Sequence, residues 1–254
     1  MSAQPALSAV LIVKNEEKNI EACLRSVAFA GEAVVVDSGS TDHTMELARA
    51  HAAKVVSRPF DDFSSQKNFA VSQASGEWVF SIDADERVPE ELRDEILRVA
   101  ADPGSAEAFA VRRRTNLFGR VFRASGLQDD APVRLFRRGK GVFVNPVHEV
   151  VRVDGRIGRL KHPLDHRSFQ TLGEYWAKLQ HYTEVEARQS VGSFPRGRFR
   201  TFFGRPFYRF FSIYVLKQGF RDGFEGWVYA VLSGYYEWLR WMKRWEVSEG
   251  KAGK

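Results

Sequence analysis

The feature that most constrains the fold is the regular alternation of short apolar runs with segments of helical periodicity in the first hundred residues. Each apolar run has the length and the β-branched content of a buried strand. Strands that alternate with helices in this way indicate a mostly parallel, doubly wound α/β sheet covered on both faces. The predicted strands span residues 7–13, 33–36, 55–56 and 78–82, and the predicted helices span residues 16–27, 44–53, 65–74 and 89–100.

The pattern changes after residue 108, where strand candidates become short and are separated by glycine and proline. These candidates span residues 109–113, 133–136, 142–144 and 150–153. From residue 172 onward the sequence is helical in pattern and rich in aromatic residues. A soft boundary at residues 164–171 therefore predicts a catalytic domain of residues 1–165 and a helical C-terminal extension of residues 166–254.

The composition argues against a disordered or a fibrous protein. With 254 residues, 44% hydrophobic and 28% charged, the chain has the balance of a folded protein with a sizeable core. Cys23 is the only cysteine, which fits a reducing compartment. The first residues lack the basic and apolar segments of a secretory signal, and the longest uncharged apolar stretch near the C-terminus, residues 226–236, is too short to span a bilayer. We therefore expect a cytoplasmic protein.

The net charge of +6 is concentrated in one segment. No acidic residue occurs between Glu186 and Asp222, whereas eight basic residues fall there, interleaved with phenylalanine and tyrosine. Cations mixed with aromatic side chains are typical of a segment that lies in a membrane interface. The alternative is a helical pair packed on the catalytic domain with its arginines in water. Nucleic acid is a less suitable partner, because no nucleic-acid-binding module pattern is present.

Three of the four early strands end in a polar cluster, at residues 14–17, 37–40 and 83–86. Each cluster alone fits a solvated turn. In a parallel α/β sheet, however, ligands bind outside the carboxyl ends of the strands, where all three clusters would meet. Asp83 and Asp85 follow a buried strand at i and i+2, so both carboxylates can point to one place. Mg²⁺ and Mn²⁺ prefer such oxygen ligands together with substrate phosphates.

These motifs resemble those of the family 2 glycosyltransferases of GT-A fold. The resemblance covers roughly residues 7 to 150 and rests on VLIVKNEE at residues 10–17, VVVDSGSTD at residues 34–42 and IDAD at residues 82–85. Within that family, RLFRRGK at residues 134–140, VHE at residues 147–149 and the tail of residues 223–246 are most similar to the bacterial lipopolysaccharide core glucosyltransferases.

The resemblance implies that a nucleotide diphosphate sugar, a UDP-sugar, binds at this edge of the sheet together with Mg²⁺ or Mn²⁺. The implied contacts are Val13, Asn15 and Glu16 to the nucleoside, Asp37 to the base, Lys67 to the donor phosphates, Asp83 to the nucleotide and Asp85 to the metal.

Transfer with inversion also needs a base that deprotonates the acceptor hydroxyl. Asp129 and Asp130 are the candidates, and Asp130 is preferred because the family usually places its acid four residues before a run such as the one that begins at Arg134. A loop cap is the alternative role for this pair. His148 and Glu149 form a second candidate group, either as acceptor or metal contacts or as a structural pair.

The resulting hypothesis is an inverting transferase that moves a hexose, glucose, from the donor to a lipid-linked glycan of the lipopolysaccharide inner core. It would act as a peripheral protein on the anionic cytoplasmic face of the inner membrane. Two alternatives remain open at this point. One is a transferase that acts on polyprenyl phosphate, which needs no general base, and the other is a non-catalytic membrane-binding protein.

Overall fold

The structure is a computed structural model that describes residues 7–51, 54–146, 149–189 and 200–249. These residues divide into two compact units. Unit 1 is drawn from Met1–Arg114 and Asp130–Arg167, and unit 2 from Thr115–Asp129 and Ser168–Lys254. The second unit thus takes one segment from the middle of the chain as well as the C-terminal part.

Thirteen strands and seven α-helices are present in the described residues. The strands are β1 Leu7–Val13, β2 Glu32–Asp37, β3 Lys54–Ser57, β4 Trp78–Ser81, β5 Glu86–Arg87, β6 Ala108–Ala110, β7 Arg113–Leu117, β8 Arg120–Val121, β9 Val133–Arg137, β10 Gly141–Val144, β11 Val150–Val153, β12 Ile157–Arg159 and β13 Leu164–Arg167. The helices are α1 Ile20–Ser26, α2 Thr44–Ala50, α3 Phe63–Ser72, α4 Glu90–Ala101, α5 Leu172–Gln189, α6 Arg205–Phe211 and α7 Gly223–Ser248.

The main sheet of unit 1 has seven strands in the order β12-β6-β9-β4-β1-β2-β3. Strands β4, β1, β2 and β3 are parallel neighbours, and β12 is parallel to β6, whereas β9 is antiparallel to both β4 and β6. The predicted mostly parallel sheet is therefore confirmed. The antiparallel strand β9 lies beside β4, the strand that ends in the third polar cluster at residues 83–86.

Strand β1 shows why this sheet is covered on both faces. Leu7, Ala9 and Leu11 pack into one hydrophobic cluster, with residues of α1 and α4. Val10 points to the opposite face and joins a second cluster that contains Phe143. Because both faces of the strand are buried, its sequence is almost continuously apolar, as is typical of a central parallel strand.

Two predicted elements differ from the structure. The helix predicted over residues 16–27 begins only at Ile20, because Asn15 has a left-handed φ of 56° and the following residues form a loop. The strand predicted over residues 109–113 is two strands, β6 and β7. The pairing of β6 with β9 shifts register between Phe109 and Ala110, which ends the first strand.

Unit 2 is built mainly from helices whose aromatic side chains pack on one another. The ring of Trp176 on α5 stacks on Tyr235 of α7, with centroids 5.2 Å apart. Helix α6 lies close to α7. A Cβ atom at Gly234 on α7 would be only 3.0 Å from the carbonyl oxygen of Pro206 on α6. Within the part of the chain that the structure describes, no helix is both long and apolar enough to cross a membrane.

Candidate functional site

The candidate site lies in unit 1, at the edge of the sheet where three parallel strands end. Val13 at the end of β1 is paired with Asp37 at the end of β2, and Val10 is paired with Ser81 at the end of β4. The polar clusters that follow these strands are therefore neighbours, as the sequence predicts. This edge also has the usual position of a ligand site in a parallel α/β sheet.

The first two loops at this edge are joined by hydrogen bonds. The side-chain oxygen of Asn15 accepts a hydrogen bond of 2.8 Å from the backbone N–H of Thr41, and the N–H of Asn15 donates to Ser40 Oγ at 2.9 Å. The N–H of Glu16 donates to Thr44 Oγ1 at 2.7 Å. The region predicted to surround the nucleoside is thus held in shape by its own side chains.

Asp37 is buried, with only 1% of its surface exposed. Its carboxylate accepts hydrogen bonds from the backbone N–H groups of Gly39 at 3.0 Å and Ser40 at 3.1 Å. Gly39 has a left-handed φ of 87°, a conformation that glycine adopts at little cost. The structure therefore shows Asp37 bracing its own turn, while the predicted contact with the base stays a prediction.

Asp83 lies between two cations. Its Oδ2 is 2.6 Å from an Nη of Arg134, and its Oδ1 is 3.1 Å from Nζ of Lys67. Burial opposes the ionised form of Asp83, but the two positive charges outweigh burial and hold its pKa well below the ordinary value. Asp83 is therefore an anion at neutral pH, and it fixes the positions of Arg134 and Lys67.

The sequence assigned no role to Arg134, and it placed Glu86 only as a member of the cluster at residues 83–86. Arg134 Nη2 lies 2.5 Å from Oε1 of Glu86, and Glu86 Oε2 accepts a hydrogen bond of 2.9 Å from the N–H of Asp83. Burial raises the pKa of Glu86, and Arg134 partly offsets the effect. The signal in the sequence was a charged residue inside the apolar strand β9, since such a residue must be paired when buried.

Lys67, on α3, is buried, with its side chain 8% exposed. Besides Asp83 it contacts Oε1 of Glu149 at 2.7 Å. The structure thus brings together three of the predicted site residues, Lys67, Asp83 and Glu149. His148, which was predicted together with Glu149, lies outside the described residues.

Asp85, the predicted metal ligand, lies beside a histidine that the sequence analysis missed. Nε2 of His166 is 3.4 Å from Oδ2 of Asp85. The pairing of β13 with β5 sets His166 opposite Glu86, which directly follows Asp85 in the chain. Nothing near His166 in the sequence indicates this neighbour, because the contact depends on the register of two distant strands.

The donor set of Asp85 and His166 fits a divalent cation that completes its coordination with substrate phosphates and water. Mn²⁺ accepts imidazole as well as carboxylate, and Mg²⁺ commonly binds through one or two carboxylates plus phosphates. Among the described residues no group of three or more His, Cys, Asp or Glu side chains forms a complete protein site.

The two base candidates have different surroundings. Asp130, in unit 1, is held by Arg113, whose Nε lies 2.6 Å from Oδ2 of Asp130. Asp129 belongs to unit 2, is exposed, and accepts a hydrogen bond of 2.9 Å from the side chain of Gln128. Of the two candidates, only Asp130 is linked to Glu86, because the Arg113 side chain that holds Asp130 also lies 3.6 Å from the carboxylate of Glu86.

Comparison with known proteins is consistent with this geometry. The family model described as "Glycosyl transferase family 2" matches residues 8–154. The lipopolysaccharide core biosynthesis glycosyltransferase LpsC of Rhizobium meliloti is 32% identical over 242 residues, which are 92% of this chain and 89% of that protein. An uncharacterized glycosyltransferase of Rickettsia bellii is 28% identical over 95% of this chain and 87% of its own length.

Solved structures show the same fold. TarS 1–349 of S. aureus in complex with UDP-GlcNAc aligns with a TM-score of 0.52 and 14% identity, covering 98% of this chain and 93% of that one. Glucosyl-3-phosphoglycerate synthase from Mycobacterium tuberculosis, crystallised with Mn²⁺, UDP and glucosyl-3-phosphoglycerate, aligns with a TM-score of 0.50 and 22% identity over 76% and 84% of the two chains. The GT-A fold predicted from the sequence is confirmed.

Proposed function

The chain belongs to glycosyl transferase family 2, and we propose that it transfers a hexose, glucose, from a UDP-sugar to a lipid-linked glycan of the lipopolysaccharide inner core. The observation that carries this proposal is the edge of the sheet in unit 1, where Asp85 pairs with His166 and where Lys67 is anchored on Asp83, two residues before Asp85 in the chain. A carboxylate, an imidazole and a buried ammonium group together suit a metal-bound diphosphate. The similarity to LpsC, a lipopolysaccharide core biosynthesis glycosyltransferase, supports the acceptor class.

The residues of unit 1 have different roles in the proposed reaction. Asp85 and His166 would hold Mg²⁺ or Mn²⁺, which supplies the Lewis acid that stabilises a leaving diphosphate. Lys67 adds a positive charge near the same group and is kept in place by Asp83 and Glu149. Because these charges are fixed before the reaction, little reorganisation is needed as negative charge develops on the diphosphate.

Asp130 is the proposed base. It would take the proton of the attacking acceptor hydroxyl, so that the oxygen can displace the diphosphate from the opposite side of the sugar. Its ion pair with Arg113 orients the carboxylate.

Unit 2 supports the proposed attachment to an anionic membrane. Its helical segments carry large apolar side chains that point into solvent, among them Phe207 and Phe224 with exposures of 70% and 71%. Exposed basic side chains occur in the same segments, so the surface suits a negatively charged interface. Between residues 200 and 231 the exposed large apolar residues are Phe203, Phe207, Tyr208, Phe211, Val215, Leu216, Phe220, Phe224, Trp227 and Val231, and we call this set the aromatic face.

Purified protein with a panel of nucleotide sugars and either Mg²⁺ or Mn²⁺ tests the donor half of the proposal. We expect metal-dependent hydrolysis of one UDP-hexose, and loss of that activity in Asp85→Asn. Hydrolysis that persists in EDTA would contradict the metal role, and no binding of any nucleotide sugar would favour the non-catalytic membrane-binding protein.

The two classes of acceptor, a sugar hydroxyl and polyprenyl phosphate, differ in whether transfer needs a general base. A phosphate acceptor is already ionised, so transfer to polyprenyl phosphate should survive Asp130→Asn, whereas transfer to a sugar hydroxyl should not. Transfer to each acceptor, followed with purified protein and radiolabelled donor, decides between them.

A further inference from the structure

Unit 2 contains a cavity of about 670 Å³ whose lining includes three arginines, Arg120, Arg123 and Arg221. It lies entirely within unit 2 and contains none of the residues assigned to the donor. Cavities that bind small molecules typically measure ~300–1,000 Å³, so this one has room for a sugar as well as a small anion.

Among the described residues, the three guanidinium groups make few polar contacts. Arg120 pairs with Glu225 at 3.5 Å, and Arg221 donates to the neutral side chain of Gln218 at 2.8 Å. In the part of the chain that the structure describes, the guanidinium of Arg123 has no hydrogen bond or ion pair. By contrast, Arg58 in unit 1 lies 2.7 Å from the carboxylate of Asp61.

The acidic residue Asp222 also lines the cavity, and its carboxylate holds the cavity wall in place. It is buried and accepts hydrogen bonds from the N–H of Arg123 at 2.8 Å, the N–H of Ala124 at 3.1 Å and the hydroxyl of Ser125 at 2.7 Å. The N–H of Ser125 donates in addition to the carbonyl of Lys217 at 2.9 Å. The loop with Arg123 is thus fixed against the turn before α7.

We propose that this cavity binds a phosphorylated sugar of the acceptor, with the three arginines around the phosphate. This inference rests on the proposed function, since it assigns the phosphate to the acceptor glycan. Three guanidinium groups together with the carboxylates of Asp222 and Glu225 leave a net charge of +1 on the cavity lining. The cavity therefore favours an anion such as a phosphate monoester, which carries ~1.5–2 negative charges at neutral pH. Guanidinium groups also match phosphate oxygens in pairs, which an ammonium group cannot do. The remaining volume accommodates the sugar ring.

The test is the binding of a hexose 6-phosphate to the full chain, measured by calorimetry in EDTA and without donor. EDTA removes any metal-dependent binding at the donor site, so the result is independent of whether transfer is observed. We expect hexose 6-phosphate to bind and the unphosphorylated hexose not to bind. The triple variant Arg120→Gln, Arg123→Gln, Arg221→Gln should weaken binding by at least about tenfold, since it removes all the charge-assisted hydrogen bonds that the guanidinium groups would make to the phosphate.

Two matched variants test whether binding depends on the cavity or only on the net charge of the protein. Arg49→Gln, Arg152→Gln, Arg159→Gln removes the same charge from exposed positions outside the cavity and should leave binding unchanged. Glu225→Gln removes the competing carboxylate and should tighten binding. Equal loss in the two triple variants, or no binding by the wild-type protein, would overturn the proposal. Circular dichroism of each variant confirms that it is folded.

Vesicles distinguish the acceptor sugar from a lipid headgroup as the source of the phosphate. Vesicles of phosphatidic acid and of phosphatidylglycerol, matched in surface charge, are compared in co-sedimentation. Unchanged binding to both by the cavity variant, together with loss of hexose 6-phosphate binding, supports a sugar phosphate. A selective loss on phosphatidic acid that leaves hexose 6-phosphate binding intact would assign the cavity to a lipid headgroup and overturn the acceptor assignment.

Discussion

Nε2 of His166 lies 3.4 Å from Oδ2 of Asp85, although the two residues belong to distant parts of the chain. The antiparallel pairing of β13 with β5 creates this contact, because it sets His166 opposite Glu86. The second aspartate of the predicted metal motif thus has an imidazole nitrogen beside it. The relationship makes the proposed metal site testable at two positions instead of one.

We expect Asp85→Ala to abolish transfer and metal-dependent donor binding while the protein stays folded. His166→Ala should raise the Mn²⁺ concentration needed for half-maximal activity by at least about tenfold, because even residues that only orient a metal ligand contribute that much. Titration of Mn²⁺ against donor hydrolysis measures both effects. His162→Ala is the control, since His162 is exposed and lies on the same segment. Near-normal activity of Asp85→Ala at saturating donor would refute the assignment.

Asp130→Asn should lower kcat by about 10²–10⁴-fold, the usual contribution of a general base. The affinity for the donor should be unchanged, because the base acts in the chemical step. Steady-state kinetics together with calorimetry of donor binding separate the two quantities. Asp129→Asn serves as the comparison. If Asp129→Asn shows the loss instead, the base is Asp129, and if neither does, Glu149 is the next candidate.

Arg134→Met should destabilise unit 1 by about 3–5 kcal/mol, because it leaves Asp83 and Glu86 without their buried partner. Arg114→Met is the matched control. Arg114 also pairs with an aspartate, Asp165, but its side chain is 49% exposed, and exposed pairs contribute only ~0–1 kcal/mol. Urea unfolding at neutral pH measures both variants, and similar losses in the two would contradict the importance of the buried network.

The deficit of Arg134→Met should shrink as the pH falls. In the wild type, Arg134 and Lys67 hold the pKa of Asp83 below its ordinary value of 3.8, so the stability from its ionised form is present above that pH and is lost only in stronger acid. In the variant, burial without Arg134 raises the pKa of Asp83 and raises that of Glu86 further above 4.5. Both groups then bind protons more readily when folded. Urea unfolding at pH 7 and pH 5 should show the smaller difference at pH 5.

Binding to anionic vesicles should depend on the basic residues of unit 2 as well as on the aromatic face. The sequence alone suggests Arg196, Arg198, Arg200 and Arg205 as the anchoring cations, and their replacement by glutamine should release the protein at moderate salt. Arg196 and Arg198 lie outside the described residues. The guanidinium of Arg205 lies 4.5 Å from the centre of the Trp241 ring, so its replacement also removes a packing contact.

A sharper set of variants follows from the exposed residues. Arg200→Gln, Arg209→Gln, Lys217→Gln should weaken vesicle binding by about 100-fold, at ~1 kcal/mol per cation near an anionic surface. Phe207→Ser with Phe224→Ser should weaken it as well, and this loss should persist at low salt. Phe60→Ser, at an exposed position in unit 1, is the control. Co-sedimentation that is insensitive to salt and to all these changes would contradict membrane binding.

Replacement of Gly226 by alanine should destabilise unit 2. A side chain there would come within 2.0 Å of the carbonyl oxygen of Gly219, so α7 would have to move away from the preceding turn. Gly173→Ala is the control, because its nearest contact would be the side chain of Thr171 at 3.9 Å. Thermal unfolding should show a lower midpoint for Gly226→Ala only.

The sequence by itself determined the α/β class, the alternation of the early strands and helices along the chain, and the edge of the sheet where the polar clusters meet. These features are local, because strand length, apolar content and the polar residue that ends each strand are all encoded within a few neighbouring residues. The placement of Asp83 and Asp85 at the end of β4 followed from the same local information. For the same reason the resemblance to the family could be recognised from three short motifs.

Only the tertiary structure decided which charged groups meet. Strand β9 runs antiparallel beside β4 and delivers Arg134 to Asp83, and β13 delivers His166 to Asp85. The division of Asp129 and Asp130 between two units was likewise invisible in their adjacent positions. Such contacts depend on strand order and register, which are set by the packing of the whole sheet and not by the residues on either side of the contact.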